Sequence, residues 1–505
     1  MPTDQAEQEP PGTPDTVVLE EPCSPRTSAR LEGDFARLIP VNRPARLAFS
    51  KIAQRIRLDP DWQKHARQFI HIDETAKELT SFEDSEADDE VRSRDPSILS
   101  GHYIFSMTKL PKVPRLGWVW GSGRRDLPDG HIDFLLTVDR KQDRILGRHG
   151  RVFHTNDGLL AVTVPAKEPI YINGDEKLEN GQRIIYLPRT SITIGNLTFC
   201  LEFTQLGIYR TQVNTLMSEW HGRQIHPSLE PTPQPYHFKL HGFVIQEPLS
   251  SGGHGVVLGG INCETGSPVA VKRLQRTCGN LERIRLEIEI SKRVGSYPNL
   301  CNLIAEEYSG GEATCIGDGK LGDVYLFMSP LALESFIELT MSAKSYRIRQ
   351  NAMQQVLRGL AHLHEDGIMH RDLKPTNLMM FAYDPPHAII IDYGCATLNA
   401  TSADHSVGTI AYLAPEVLAI KAGTSIGSKY DSMVDLWGMG LTAYRLFFQE
   451  GCSWKNGVGP DEWENIKQKL HQRPGVLSRL LESMLAWTPS DRPTAAELEA
   501  SEVWL

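Results

Sequence analysis

The chain carries no cysteine framework. Its eight cysteines, Cys23, Cys200, Cys263, Cys278, Cys301, Cys315, Cys395 and Cys452, include no C-x-x-C pair, so neither a zinc ribbon nor a disulfide-stapled scaffold is encoded. A reducing location, nucleus or cytoplasm, is expected. Long apolar runs are missing too. Nothing approaches the ~18 residues of a membrane span, and Met1-Pro2-Thr3-Asp4 stands where a secretory signal would place basic and then apolar residues. Positive charge is in deficit, with 53 Lys and Arg against 63 Asp and Glu. That balance argues against a coat of phosphate-binding cations; nucleic acid is therefore not expected as a direct partner, nor, for want of a long apolar run, is a membrane. Large apolar residues are scarce over residues 1–30, which hold six prolines and six acids. Such a segment cannot bury enough surface to offset its ordering entropy, and residues 1–34 read as a disordered tail.

The segment after this tail is rich in strands. Turn residues recur every eight to twelve positions through Phe35 to Pro40, Ile132 to Val138, Gly150 to His154, Leu159 to Val164, Ile170 to Ile172, Arg183 to Leu187, Ser191 to Ile194 and Leu197 to Phe203. That spacing points to an all-β sandwich over 35–206, with an insertion at about 50–98. Within the insertion, Glu83 to Glu90 is an acidic block whose solvated-loop reading stands beside a second, that Ser81 and Ser85 suit an acidophilic kinase. His226-Pro227-Ser228-Leu229-Glu230-Pro231-Thr232-Pro233-Gln234-Pro235 lies in a linker, 207–238. Proline at that density favours an extended, semi-rigid connection, leaving the halves on either side some independence.

The most informative stretch is His370-Arg371-Asp372-Leu373-Lys374-Pro375-Thr376-Asn377, followed by Asp392-Tyr393-Gly394. Asp372 can accept a proton from an incoming hydroxyl, and Lys374, two residues on, can neutralise charge on a moving phosphoryl group. Asn377 and Asp392 offer oxygens, the ligands that hard Mg²⁺ takes. The intervening residues read as two strands turned at Asp384-Pro385-Pro386, which returns Asp392 towards Asn377. This constellation resembles the catalytic core of protein kinases.

The resemblance covers about 240–505 and implies a two-lobed α+β fold that uses ATP and Mg²⁺ to phosphorylate protein substrates. In Val269-Ala270-Val271-Lys272 it makes Lys272 the phosphate-orienting lysine, and it makes Glu287 that lysine's partner, with Glu289 the competitor. ATP contacts are implied for Ser250, Gly252, Gly253, Gly255, Val257, Ala270, Lys272, Met328 and Leu331. Ser250 departs from the family's first glycine, which puts nucleotide affinity in question and keeps a pseudokinase scaffold as the competing reading. Glu416, Asp435 and Arg492 are implied as structural, Asp435 bracing the catalytic loop and Arg492 clamping Glu416. Lys374 with Gly408-Thr409 matches the serine/threonine branch. Arg371 implies an activation segment ordered by phosphorylation, with Thr401, Ser402 and Ser406 the candidates and Thr409 turned instead to the catalytic loop. Glu334 could bind a basic substrate residue, although Thr376 stands where many basophilic kinases carry an acid.

A second resemblance covers the strand-rich half. Tyr171-Ile172-Asn173-Gly174, Ile192-Thr193-Ile194-Gly195 and Thr198 to Phe203 look like the closing half of a forkhead-associated (FHA) domain, a reader of phosphothreonine. Gly123-Arg124 and Gly147-Arg148-His149 sit where that family keeps its phosphate-binding signatures. Arg124, Arg148 and His149 are then the candidate phosphopeptide contacts, although Gly147 replaces the family's serine and His149 also reads as a core-satisfying histidine. A reader of phosphothreonine and a plain docking module both remain open. The order of the two domains resembles fungal checkpoint kinases. Their clustered Ser-Gln and Thr-Gln sites are reduced here to Thr204-Gln205 and Thr211-Gln212.

Overall fold

The computed structural model describes residues 34–504 except 60, 74–97, 124–131, 166–167, 205, 222–225, 235, 253–254, 312–314, 317–319, 426 and 450–453. The tail to residue 33, the acidic block with Ser81 and Ser85, Arg124 and Gly253 lie outside the described residues.

The N-terminal half is a two-sheet sandwich. Its strands are β1 (Asp34–Pro40), β2 (Ile70–Ile72), β3 (Gly101–Ser106), β4 (Trp118–Gly121), β5 (Phe134–Leu135), β6 (Gly150–His154), β7 (Leu160–Val164), β8 (Ile170–Ile172), β9 (Glu176–Leu178), β10 (Gly181–Ile184), β11 (Arg189–Ile194) and β12 (Leu197–Phe203). One sheet has the order β2-β3-β1-β12-β11-β8-β9 and the other β10-β7-β6-β4-β5. The period-2 pattern decides which side chains meet between them: in β12, Leu197, Phe199, Leu201 and Phe203 point inward while Thr198, Cys200 and Glu202 stay partly exposed. Trp118, Trp120, Phe105 and Phe134 fill the core.

The fold corrects several expectations. The strand expected over Ile132 to Val138 is only β5, and the one expected at Arg183 to Leu187 lies earlier, as β10. The described residues of the expected insertion, up to 73, are packed into the fold. A helix, Arg43–Leu58, is capped where the Asn42 side chain accepts from the Ala45 N–H, and it buries Ala45, Ala48, Phe49, Ile52, Ala53 and Ile56 along one face. Beyond it, β2 extends the larger sheet at its edge. The expected linker begins with another helix, Leu206–His221, whose Tyr209, Val213 and Met217 complete the sandwich core. Finally, Leu229 is fully buried between the two halves, among Leu159, Ala161 and Ile184 on one side and Val244, Ile261 and Leu331 on the other. Apolar residues inside the proline-rich stretch turn a spacer into packing, so the halves are docked.

The C-terminal half has two lobes. The smaller is an antiparallel sheet in the order Phe238–Leu240, Phe243–Gly252, Gly255–Asn262, Pro268–Leu274, Val324–Ser329, Asn302–Tyr308. Helix Leu281–Val294 packs on it through Ile284, Ile288 and Ser291, and this spacing carries Glu287 to the same inward face. The larger lobe is helical. Its Met433–Phe448 helix is buried along most of its length, and the hairpin of Leu378–Tyr383 and Pro386–Ile390 is tied to the residue before strand Asn302–Tyr308 where Cys301 N donates to Ile390 O at 2.9 Å.

Candidate active site

The sheet supplies the first group. Val257 pairs with Lys272 and Ala270 with Met328, so directly opposed residues put Val257, Ala270, Lys272 and Met328 on one face. Ser250 pairs with Val257, and Gly252 pairs with Gly255 at the tip of the hairpin. Gly255 is required there: it has φ +120°, and a Cβ would meet the Arg273 carbonyl at 2.5 Å. Leu331 is buried in the cluster between the halves, so any contact from it to a base would come from its backbone.

Lys272 is the hub. Its Nζ donates to Glu287 Oε1 at 2.5 Å and to Asp392 Oδ1 at 2.6 Å, and it is only 6% exposed. Burial opposes its charge, but the two carboxylates outweigh burial and hold the ammonium above its ordinary value. Glu289, the competing partner, points to solvent.

The catalytic loop forms the second group. Asp372 is buried, and its Oδ2 accepts from Lys374 Nζ at 2.7 Å and Asn377 Nδ2 at 3.1 Å. Oδ1 accepts from the Thr409 hydroxyl at 2.7 Å, which itself accepts from Lys374 Nζ at 2.7 Å. Carboxylate, ammonium and hydroxyl therefore close a triangle. Gly408 makes the approach possible: it has φ +87°, and a Cβ would lie 2.6 Å from the Arg371 carbonyl. The two groups are joined where Ile391 N donates to Asn377 O at 2.9 Å and His370 Nε2 meets Ile391 O at 3.1 Å. Arg371 and Asp392 both adopt left-handed φ, 66° and 67°, a strained state for non-glycine residues that the surrounding bonds must hold.

That holding is visible. Asp435 is fully buried and accepts from His370 N at 2.9 Å, Arg371 N at 2.7 Å and His364 Nε2 at 2.9 Å. Burial alone would raise its pKa; the histidines and the backbone donors bring it below the usual carboxylate value. Arg492 grips Glu416 with two parallel bonds of 2.7 and 2.9 Å. Tyr393 is buried, and its hydroxyl donates to Cys301 O at 3.2 Å. Cys395 is buried as well.

For a divalent cation, the chemistry of the donor set fits. Asn377 spends its amide nitrogen on Asp372, which leaves Oδ1 as its coordinating atom, and Asp392 adds carboxylate oxygen. Among the described residues no group of three or more His, Cys, Asp or Glu is arranged for a metal. A pair of oxygen ligands is what Mg²⁺ takes when phosphates and water complete its shell.

The activation-segment candidates separate. Ser402 Oγ accepts from Arg371 Nη1 at 3.3 Å, Asp404 lies 3.7 Å from the same nitrogen, and Tyr430 OH accepts from it at 3.3 Å. Ser406 donates to Asp404 Oδ1 at 2.6 Å and is exposed. Asp404 and Tyr430 were not singled out in the sequence, although an acid inside the segment was a usable signal. Glu334 is bound by the Tyr383 hydroxyl. Burial and Glu338 raise its pKa.

In the sandwich, Gly123 N donates to Gly147 O at 3.1 Å, so the two signature loops adjoin. Arg148 is exposed. His149, a candidate contact that also reads as a core histidine, is fully buried, and its Nδ1 accepts from Leu146 N at 3.2 Å. It braces the loop from inside.

Residues 243–504 match the protein kinase domain family. The chain is 33% identical over 202 residues to calcium-dependent protein kinase 5 of Plasmodium berghei, an alignment covering 39% of this chain and 33% of that protein. It is 25% identical over 416 residues to the serine/threonine-protein kinase RAD53 of Saccharomyces cerevisiae, covering 75% of this chain and 48% of that one. The chain thus spans about half or less of the length of these relatives. A crystal structure of Rad53 1-466 in complex with AMP-PNP matches with TM-score 0.47 and 20% identity, covering 77% of this chain and 90% of that chain. No helix of the described residues is long and apolar enough to cross a membrane.

Proposed function

We propose, on the premise that this chain belongs to the protein kinase domain family, that it is an ATP-dependent serine/threonine kinase acting on proteins. The observation that carries the reading is the triangle of Asp372, Lys374 and Thr409 beside the buried Lys272–Glu287 pair. Lys272, held by Glu287, orients the nucleotide phosphates. Asp372 receives the proton of a substrate hydroxyl, and Lys374 offsets charge on the phosphoryl group as it moves. Asn377 and Asp392 would hold Mg²⁺, which when bound neutralises charge on the phosphates. Thr409, tied to both Asp372 and Lys374, couples the order of the activation segment to that of the catalytic loop.

Arg371 supports regulation through the same segment. Of the serines, Ser402 is the one within reach of its guanidinium, and a phosphate there would gain a charge-assisted partner. The sandwich, through Arg148, supports binding of a phosphothreonine-containing partner. Similarity to a yeast serine/threonine kinase across 75% of the chain, with the order sandwich then kinase, supports a place in checkpoint-type signalling in nucleus or cytoplasm. Transfer of labelled phosphate from ATP to a serine/threonine peptide array tests the core claim. A purified protein that bound no nucleotide with Mg²⁺ and labelled no peptide would sink it.

A further inference from the structure

Residues 226–230 read as part of a spacer, yet every one of them is engaged. Pro227, whose fixed φ suits the second position of a turn, opens one that Leu229 N closes by donating to His226 O at 3.0 Å, and the turn carries successive residues to different neighbours. His226 is buried, and its Nε2 meets Ala332 O at 3.0 Å while Nδ1 accepts from Ser228 N at 3.2 Å. A neutral ring protonated at Nε2 satisfies both bonds, and burial favours the neutral ring by lowering its pKa. Glu230 exchanges two bonds with the Gln246 side chain, its N–H to Oε1 at 3.0 Å and its carbonyl from Nε2 at 2.8 Å. Arg210, on the helix that closes the sandwich core, pairs with the Glu230 carboxylate at 2.6 Å and donates to Pro227 O at 2.8 Å.

The other side of this contact is the strand end that leads from Met328 into the larger lobe. Pro330 has no N–H to offer a ligand, and the N–H of Leu333 is spent on Met380 O at 2.7 Å. Of the N–H groups from 330 to 333, those of Leu331 and Ala332 are then the ones left to a base bound beside Met328. The connecting segment holds those two residues: Leu331 shares the buried cluster of Leu229, and the Ala332 carbonyl meets His226. The sandwich joins the same cluster, since Ile184 lies in it and its N–H donates to Cys263 O at 2.9 Å.

We propose that residues 226–230 form a brace on the nucleotide site, with His226 and Leu229 as positioning residues for the backbone at 331–332, so that nucleotide affinity depends on the sandwich being docked. This rests on the kinase reading of the cleft. Three full-length variants test it: His226→Ala, which removes both ring bonds; His226→Gln, whose amide can donate and accept in their place; and Ile184→Asp, which acts from the sandwich side. The readouts are KM for ATP and kcat on a serine/threonine peptide, with Mg²⁺-ATP binding followed by thermal shift.

Loss of one or two hydrogen bonds predicts about a fivefold rise in KM for His226→Ala with kcat within about twofold. His226→Gln should restore KM, and Ile184→Asp should raise it by a similar factor. An unchanged KM in both His226→Ala and Ile184→Asp overturns the proposal. So does a fall in kcat alone, or a KM rise that Gln fails to restore. A wild-type protein that neither binds Mg²⁺-ATP nor transfers phosphate overturns the kinase reading itself and the brace with it, an outcome visible before any variant is made.

Discussion

Lys272 and His149 are both buried polar residues beside a β-sheet, and their surroundings differ. Lys272 meets two carboxylates, one of which also accepts from Gly394 N at 3.2 Å. His149 has its Nδ1 bonded to the Leu146 backbone, and burial keeps it neutral by lowering its pKa. Burying a charge is expensive unless it is paired and bonded. The kinase half bears that cost at Lys272, Glu287, Asp372 and Asp435 together, all around one cleft. The sandwich leaves its candidate phosphate contact, Arg148, in solvent and uses its buried histidine to support a loop. One half gathers its buried charges into mutual pairs around the catalytic loop, while the other spends its buried histidine on a loop and leaves Arg148 exposed.

The contrast predicts where substitutions should hurt. Asp372→Asn leaves the fold and the Lys272 cluster in place but removes the proton acceptor, so kcat should fall about 10³-fold while Mg²⁺-ATP binding persists. Wild-type turnover in that variant would erase the distinction between the halves. Glu416→Ala strands the buried Arg492 guanidinium and should destabilise the kinase half by about 3 kcal/mol, read as a lower urea midpoint. In the sandwich, Arg148→Ala should weaken a phosphothreonine peptide by about tenfold, the worth of one charge-assisted bond. Equal binding of phosphorylated and unphosphorylated peptides would make the sandwich a docking module.

Smaller effects sharpen the picture. Removing phosphate with a phosphatase should lower activity only about fivefold or less, because Asp404 already lies 3.7 Å from Arg371 and a phosphate adds to a pairing partly made. Equal activity before and after treatment would mean Asp404 suffices. The weakest test is pH. Burial is the largest cause holding His102, in the sandwich, and His237, beside the connection, at about 4 each. The unfolded chain would protonate both near 6.5 and so binds more protons in that window. The stability they contribute is complete above pH ~6.5 and is lost as pH falls towards 4. A melting temperature flat from pH 7 to 4.5 would contradict this.

Much of the site was legible because a motif binds chemistry to local spacing. Asp372, Lys374 and Asn377 share one loop, and the hairpin that returns Asp392 was readable from Asp384-Pro385-Pro386 and its flanking strands. Glu287 and Glu289 were harder to separate, since both lie on one helix; the inward face shared with Ile284 and Ile288 selects Glu287. For His149 the sequence left two readings, core residue or phosphopeptide contact, because a signature names a residue without saying which way it points. The Arg43–Leu58 helix was missed as part of the fold because its apolar face finds its partner in strands far along the chain.

From the chain alone come the fold class of each half, the phosphoryl-transfer constellation and a charge balance unsuited to coating nucleic acid. All of these rest on neighbouring residues or on composition. The docking of the halves through Leu229, the pairing of Arg371 with Asp404 and Tyr430, and the hold of His226 on Ala332 needed the folded arrangement. Each joins segments tens to more than a hundred residues apart, and no local periodicity or spacing encodes which of the many polar and apolar side chains will meet.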